Sequence, residues 1–381
     1  MKNNSFKNSR LIDELGVAPI IAAGGPNTKH SGTRPRSEVV QMMEEMSEVF
    51  VQMDEWLLAA GKEIAKLTGA EAATITSGAS GGLVLQSAAA IARDDVEVIS
   101  QLPITKNIPN ELIIQRAHRF AYDNLYLIPG AKFVEVGTDT GCESKDIENA
   151  ITSRSVGVIH LASPGANDNA VSIEVSAKIA HKHKLPLLCD AASMLPPRKN
   201  LKVFLDAGAD LVSFSGGKGV RGPQSTGFLL GTKQWVEYAR LNNAPNATIA
   251  RSQKVSKEEI GGLIAALRVF VSQNEEEETR RYKSDMQTIV DRVIEIPGIK
   301  AAVIHNEQYY IPHAVIELTN EWRGPSGHEL GRLMLETSPR IYIRSAYEDG
   351  KKIAIDPLNI QEGELDIVAS KLNQLLINSI N

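Results

Sequence analysis

The feature that most limits what this chain can fold into is a regular alternation of short apolar, β-rich runs with helical stretches. The runs lie at Ala72–Thr76, Glu97–Ser100, Lys132–Val136, Val156–Ala162, Leu185–Cys189, Leu211–Ser215 and Gly227–Leu230. Helical patterns separate most of them, at Ser80–Ala92, Ser144–Ile151, Ser172–His183 and Leu201–Ala207. A strand with no polar side has to be covered on both faces, the situation in a parallel sheet built from right-handed crossover units. The alternation therefore predicts an α/β fold. Two amphipathic helices precede this core, Ser37–Phe50 and Glu55–Thr68, and a long one from about Ser256 to Val293 follows it, broken by Pro297-Gly298. From Ile299 onward, short strands such as Ala314–Leu318 and Arg340–Arg344 and a last helix, Glu362–Ile377, predict a second, smaller α/β unit.

At 381 residues, 43% hydrophobic and 23% charged, the chain suits a soluble protein of two domains. A net charge of −5 argues against a nucleic acid as the main partner. Cys142 and Cys189 make no disulfide framework and read as small buried residues. The polar start, Met1 to Arg10, lacks the apolar core of a secretory signal, and no apolar run reaches the ~18 residues that span a bilayer. A cytoplasmic protein without a membrane partner is expected, and no metal site. The acidic run Glu275–Glu278 reads as a solvated helix face, because Arg280, Arg281 and Lys283 follow at helical spacings.

Chemistry concentrates between Asp210 and Gly231, where Lys218 sits among glycines at the end of one apolar strand and just before another. A lysine amine attacks carbonyl carbon to form a Schiff base, the tether used for pyridoxal phosphate. Two other motifs compete. Gly217-Lys218-Gly219-Val220-Arg221-Gly222 matches the dinucleotide pattern G-x-G-x-x-G, but Pro223 and a strand follow where a helix should open. Gly78-Ala79-Ser80-Gly81-Gly82 matches the G-x-S-x-G elbow of serine hydrolases, with a fitting strand before it and a helix after it. The same segment, Ser77 to Ser80, also reads as a phosphate cradle, since small residues at a helix start present unpaired N–H groups to an anion. Asp190, at the end of Leu187-Leu188-Cys189, is costly to bury unless it meets a cation, and a protonated pyridine nitrogen is one. It precedes Lys218 by 28 residues, one strand–helix–strand step, so both project from neighbouring strand ends.

The order Ser-Gly-Ala-Ser, Asp-Ala-Ala, then Ser-Phe-Ser-Gly-Gly-Lys-Gly with Gly222-Pro223-Gln224 resembles the fold-type I pyridoxal-phosphate enzymes. More narrowly it resembles the selenocysteine synthase (L-seryl-tRNA selenium transferase) family and its short relatives, the D-glucosaminate-6-phosphate ammonia-lyases. The likeness runs from Gly16-Val17-Ala18-Pro19 to Ile355-Asp356-Pro357. It implies an aspartate aminotransferase-like fold with a mostly parallel seven-stranded sheet. It also implies an N-terminal segment at 1–50, a large cofactor domain at 51–255 and a small domain at 256–381.

Carried over by position, Lys218 is the Schiff-base lysine and Asp190 pairs with the pyridine nitrogen. Ser77, Gly78, Ala79 and Ser80 cradle the phosphate, helped by Ser215, and His118 falls where a group covers the ring. Arg344 matches the arginine for the substrate carboxylate, with Arg340 a weaker rival. Lys29, His30 and Arg34 belong to a cation-rich N-terminal loop (Thr28 to Arg36) expected to hold a phosphate or carboxylate. Little precedes Gly16, and with the negative charge this argues against tRNA and for the metabolic branch. The implied reaction removes water and ammonia from a 2-amino-3-hydroxy sugar acid, 2-amino-2-deoxy-D-gluconate 6-phosphate, in a homodimer or larger homo-oligomer. A selenocysteine synthase-like transferase, an aminotransferase and another β-eliminating enzyme stay open as alternatives. A serine hydrolase and a non-catalytic cofactor-binding protein are more distant ones.

Overall fold

The structure, a computed structural model, describes residues 9–163, 169–306, 311–347 and 349–380. Its strands are, in chain order, β1 (Ile20–Ala22), β2 (Ala72–Ser77), β3 (Glu111–Gln115), β4 (Lys132–Val136), β5 (Ser155–Leu161), β6 (Leu187–Asp190), β7 (Leu211–Ser215), β8 (Thr226–Gly231), β9 (Ile299–Ile304), β10 (His313–Leu318), β11 (Arg340–Tyr342) and β12 (Lys352–Ile355). They fall into two compact units, one of Pro35–Gln273 and one of Met1–Arg34 with Asn274–Asn381.

The larger unit holds a seven-stranded sheet of order β2-β8-β7-β6-β5-β3-β4. Neighbours from β7 to β4 are parallel, while β8 runs antiparallel to both β2 and β7. Only β8 is reversed, so the carboxyl ends of all the other strands share one edge. Ile113, Ile159, Leu188 and Leu211 have no exposed surface, as strands covered on both faces require. The helix Gly78–Ala92 lies directly on the sheet, for a Cβ on Gly82 would come within 2.1 Å of Ser213 Oγ. Gln86 on that helix is fully buried and donates from Nε2 to the carbonyl oxygens of Cys189 at 2.9 Å and Leu211 at 3.2 Å, linking β6 and β7 to it.

Some sequence expectations give way here. Glu97–Ser100 is not a strand but part of the helix Val96–Gln101, because Asp95 Oδ1 accepts the N–H groups of Glu97 and Val98 and caps it. The remaining strand of the sheet is β3, which the spacing did not single out. The long C-terminal helix is two helices, Lys257–Ser272 and Glu275–Val293, separated where the Asn274 side chain caps Glu277 N–H at 3.2 Å. The boundary between units falls at this break rather than near residue 255. Lys257–Ser272 stays with the larger unit because Gly261 and Gly262 press against Met46 and Met43 of the helix Ser37–Ser47, leaving a Cβ only 2.7 and 2.9 Å. Cys189 is buried as expected, but Cys142 is only partly so, and burial with the nearby Asp146 and Glu143 charges pushes its thiol up to about 11.

In the smaller unit β12-β10-β9 form an antiparallel sheet, and β1 pairs in parallel with β11. Met286, Ile289, Val293, Ile316, Ile353 and Leu372 are at or near full burial in its core. The acidic run lies at the start of Glu275–Val293, where negative charge suits the helix dipole. Among the described residues no helix is long and apolar enough to cross a membrane.

Candidate active site

The larger unit's sheet register collects the expected residues along its carboxyl edge. Ser77 is level with Thr226, Ser215 with Gly227, and Asp190 with Ser213. These pairs span four adjacent strands, β2, β8, β7 and β6. Ser213 Oγ also donates to Ala79 O at 3.0 Å, which ties β7 to the first turn of the helix that Ser77 precedes. Ser77 and Gly78 are half-buried, Ala79 is buried and Ser80 is exposed. The Ser80 hydroxyl turns back toward Ser77 O, and among the described residues no histidine is hydrogen-bonded to it as a hydrolase base would be. The glycine pattern at 217–222 connects two strands, β7 and β8, so it opens no helix for a dinucleotide.

Lys218 and Asp190 are the electrostatic centre. Burial pushes the Asp190 carboxyl up to about 6, only partly offset by the Ala192 N–H on Oδ1 at 2.9 Å and the Lys218 charge. Burial lowers the Lys218 ammonium pKa, and Asp190 opposes that shift. Desolvation disfavours the ionised form of both groups and each feels the other's charge, a pattern that marks candidate working sites. Lys218 Nζ donates to Ser193 Oγ at 2.6 Å.

His118 is fully buried in the single turn Arg116–His118 that follows β3. Its ring meets the edge of His160 on β5, with centroids 4.4 Å apart and planes at 74°. Burial, then the neighbouring His118, lowers His160 to about 3, so this imidazole stays neutral.

The other expected residues belong to the smaller unit. Arg344 forms a backbone bridge with Ala354 beyond the end of β11, and its NH2 lies 3.6 Å from Asp356 Oδ2. Arg340, level with Ile20, is exposed, whereas Arg344 is partly buried and lies beyond the end of β11. His313 Nε2 approaches the same Asp356 oxygen at 3.0 Å. Burial alone would raise the Asp356 carboxyl, but the His313 hydrogen bond and the His313 and Arg344 charges bring it below its usual range. Lys29 and Arg34 are exposed, whereas His30 stacks on Tyr342 at 3.7 Å and 15°. Asn359 fixes this loop by donating to Gly32 O at 2.8 Å and accepting Arg34 N–H at 3.3 Å.

Sequence reasoning missed Ser193, Gln86, His160 and Asp356. Ser193, three residues after Asp190, was the most accessible of these, since a hydroxyl in the turn that leaves the Asp190 strand faces the same edge. The others act through strands distant in sequence.

Comparison with known proteins agrees with this architecture. A 5'-C-glycyluridine monooxygenase-decarboxylase from Streptomyces sp is 27% identical over 372 residues, covering 96% of this chain and 91% of that one. The D-glucosaminate-6-phosphate ammonia lyase of Salmonella typhimurium is 26% identical over 371 residues, covering 96% and 97%. A solved D-glucosaminate-6-phosphate ammonia-lyase superposes with a TM-score of 0.84 at 24% identity, over 98% of this chain and 100% of that one. The fold is that of the fold-type I pyridoxal-phosphate enzymes. The family model described as L-seryl-tRNA selenium transferase matches residues 54–296, well over half of the sequence, and the chain belongs to that family.

Proposed function

We propose that the protein is a pyridoxal-phosphate-dependent ammonia-lyase acting on 2-amino-2-deoxy-D-gluconate 6-phosphate. The observation that carries the cofactor is the desolvated pair, Lys218 and Asp190, at the edge where the helix after Ser77 begins. That helix start fits a phosphate. Its N-cap, Ser77, makes no side-chain capping hydrogen bond, and Gly78 has φ +66. A Cβ on Gly227 would stand 2.3 Å from the Gly78 carbonyl carbon, so glycine there keeps β8 tight against the first turn. Asp190 fits the other end, because a buried carboxylate gains most from a cation such as a protonated pyridine nitrogen.

In this reading Lys218 tethers the cofactor and Asp190 holds its ring nitrogen. Ser77 to Ser80 and Ser215 take its phosphate, and His118 flanks the ring. Arg344 takes the substrate carboxylate, and Lys29, His30 and Arg34 serve the sugar phosphate. When bound, pyridoxal phosphate supplies an electron sink that makes the proton on the amino-bearing carbon removable. The chain supplies the rest. Lys218 Nζ would take that proton, since burial that disfavours its ammonium form keeps the amine unprotonated often enough to act as a base. Loss of the 3-hydroxyl as water follows, and water then releases ammonia, so the net products are ammonia and 2-keto-3-deoxygluconate 6-phosphate.

The end-to-end likeness to the Salmonella lyase supports this substrate. The Streptomyces enzyme is alike to the same extent, and the assay separates the two. Purified protein given the sugar acid is expected to release ammonia and keto acid without taking up oxygen. Oxygen uptake with carbon dioxide and no ammonia would sink the lyase reading and leave the cofactor standing. Lys218→Ala is expected to lose the borohydride-sensitive cofactor band and to cut turnover on the order of 10³-fold. A homodimer or larger homo-oligomer in the cytoplasm is part of the proposal. The apolar run Val49, Phe50 and Val51, with Phe50 fully exposed, supports an interface between copies, which sedimentation tests.

A further inference from the structure

The lysine loop is seated on a second turn. Gly217 and Gly219 flank Lys218, and neither has room for a side chain. A Cβ on Gly217 would lie 2.7 Å from Gln224 Cα, and one on Gly219 would lie 2.1 Å from Leu195 O. The second contact docks the loop against the chain that leaves β6. That stretch is itself fixed. Ala191 N–H donates to Ser213 O at 3.0 Å, Ala192 N–H to Asp190 Oδ1 at 2.9 Å, and Met194 N–H to Ala191 O at 3.0 Å. Ser193 is thus carried on a turn locked on both flanks, with its Oγ 2.6 Å from Lys218 Nζ.

We propose that Ser193 is a positioning residue for Lys218, its hydroxyl accepting one N–H of the amine whenever that amine is not joined to the cofactor. The proposal rests on Lys218 being the cofactor lysine. A released lysine side chain has several rotatable bonds and a large rotamer entropy to lose. One fixed acceptor removes most of that freedom and leaves the lone pair in a set direction. Asp190 acts on Lys218 through its charge from the strand end, whereas the hydrogen bond of Lys218 Nζ goes to Ser193 Oγ. Burial disfavours the ammonium, and the Ser193 contact gives the amine a fixed orientation.

The test uses the full chain, freed of cofactor and mixed rapidly with pyridoxal 5'-phosphate. Lys218 amine condenses with the aldehyde and releases water, and the absorbance change reports the rate. Borohydride trapping and peptide mapping then place the adduct on Lys218. Ser193→Ala is expected to capture the cofactor on Lys218 roughly tenfold more slowly, the loss of one hydrogen bond to a strongly polar group. Ser193→Thr, which keeps the hydroxyl, is expected to restore the rate. A second readout is turnover of substrate deuterated at the amino-bearing carbon, where Ser193→Ala is expected to enlarge the isotope effect. Capture by Ser193→Ala at the wild-type rate, or a threonine variant as slow as alanine, overturns the inference. Wild-type protein that leaves no adduct on Lys218 overturns the reading of Lys218 itself, and the inference with it.

Discussion

Asp190 and Asp356 are both buried, at 4% and 1% exposure, yet they titrate in opposite directions. Asp356 has His313 at 3.0 Å and the Arg344 guanidinium at 3.6 Å, and its carboxyl falls below the usual range. Asp190 has a backbone N–H and a lysine that burial itself discourages from ionising, and it rises to about 6. The smaller unit has completed the neutralisation of its buried carboxylate from its own side chains. The larger unit has not. In the proposed reading the cation that Asp190 meets is the cofactor's ring nitrogen.

The contrast can be broken by mutation, starting with Asp356→Asn. This removes the anion from between His313 and Arg344 and is expected to destabilise the protein by about 4 kcal/mol in denaturant titration. A loss below ~1 kcal/mol would mean the pair is not the structural element described here. Asp190→Asn is expected to move the apoprotein the other way. A carboxyl raised from 3.8 to about 6 binds its proton more tightly in the folded state, so its contribution is full below pH 3.8 and declines as pH rises to about 6. At pH 7 the amide therefore stabilises the cofactor-free protein, by up to ~3 kcal/mol, and the gain fades toward pH 4. With pyridoxal phosphate bound the sign is expected to reverse. Equal destabilisation at both pH values, without cofactor, would end the contrast. Asp356 has the opposite linkage. Its stabilisation is present above the unfolded value and is lost as pH falls through its lowered folded value.

Smaller changes sharpen the picture. Gly25 has φ +81, and a Cβ there would lie 2.4 Å from Asp356 Oδ2 and 3.0 Å from Arg344 NH2. Gly25→Ala is expected to cost about 2 kcal/mol and to disturb the Arg344–Asp356 pair. His313→Gln keeps a donor near Asp356 and is expected to cost about 1 kcal/mol, measured by the same titration. A cost as large as that of Asp356→Asn would assign the neutralisation to His313 rather than to Arg344.

The same contrast explains what could be read from the chain. Asp190 and Lys218 stood out because β6, β7 and β8 are consecutive in sequence and adjacent in the sheet, so neighbouring strand ends were neighbours in space. Asp356 did not stand out as Arg344's partner. Their meeting depends on the bridge between Arg344 and Ala354 and on β12 pairing with β10, which no local pattern encodes. Ser193 was passed over because a serine after an aspartate is ordinary turn chemistry, and its meaning comes from Gly219 docking on Leu195. In two places a capping side chain overrode the hydrophobic pattern. Asp95 caps a helix through Glu97–Ser100, and Asn274 ends one long pattern and begins another.

The reversed strand β8 carries a further consequence for how such a scaffold can be varied. It makes the lysine segment a closed bracket, with Ser215 level with Gly227 at its base and Gly216 N–H donating to Thr226 O at 2.9 Å. Gly222 N–H closes it again on Gly216 O at 2.8 Å. Residues inserted between those points would have to unfasten the sheet edge, whereas a loop entering a helix could absorb them. New specificities on this frame are therefore to be sought in segments that approach the bracket from elsewhere, with the bracket's own length left alone.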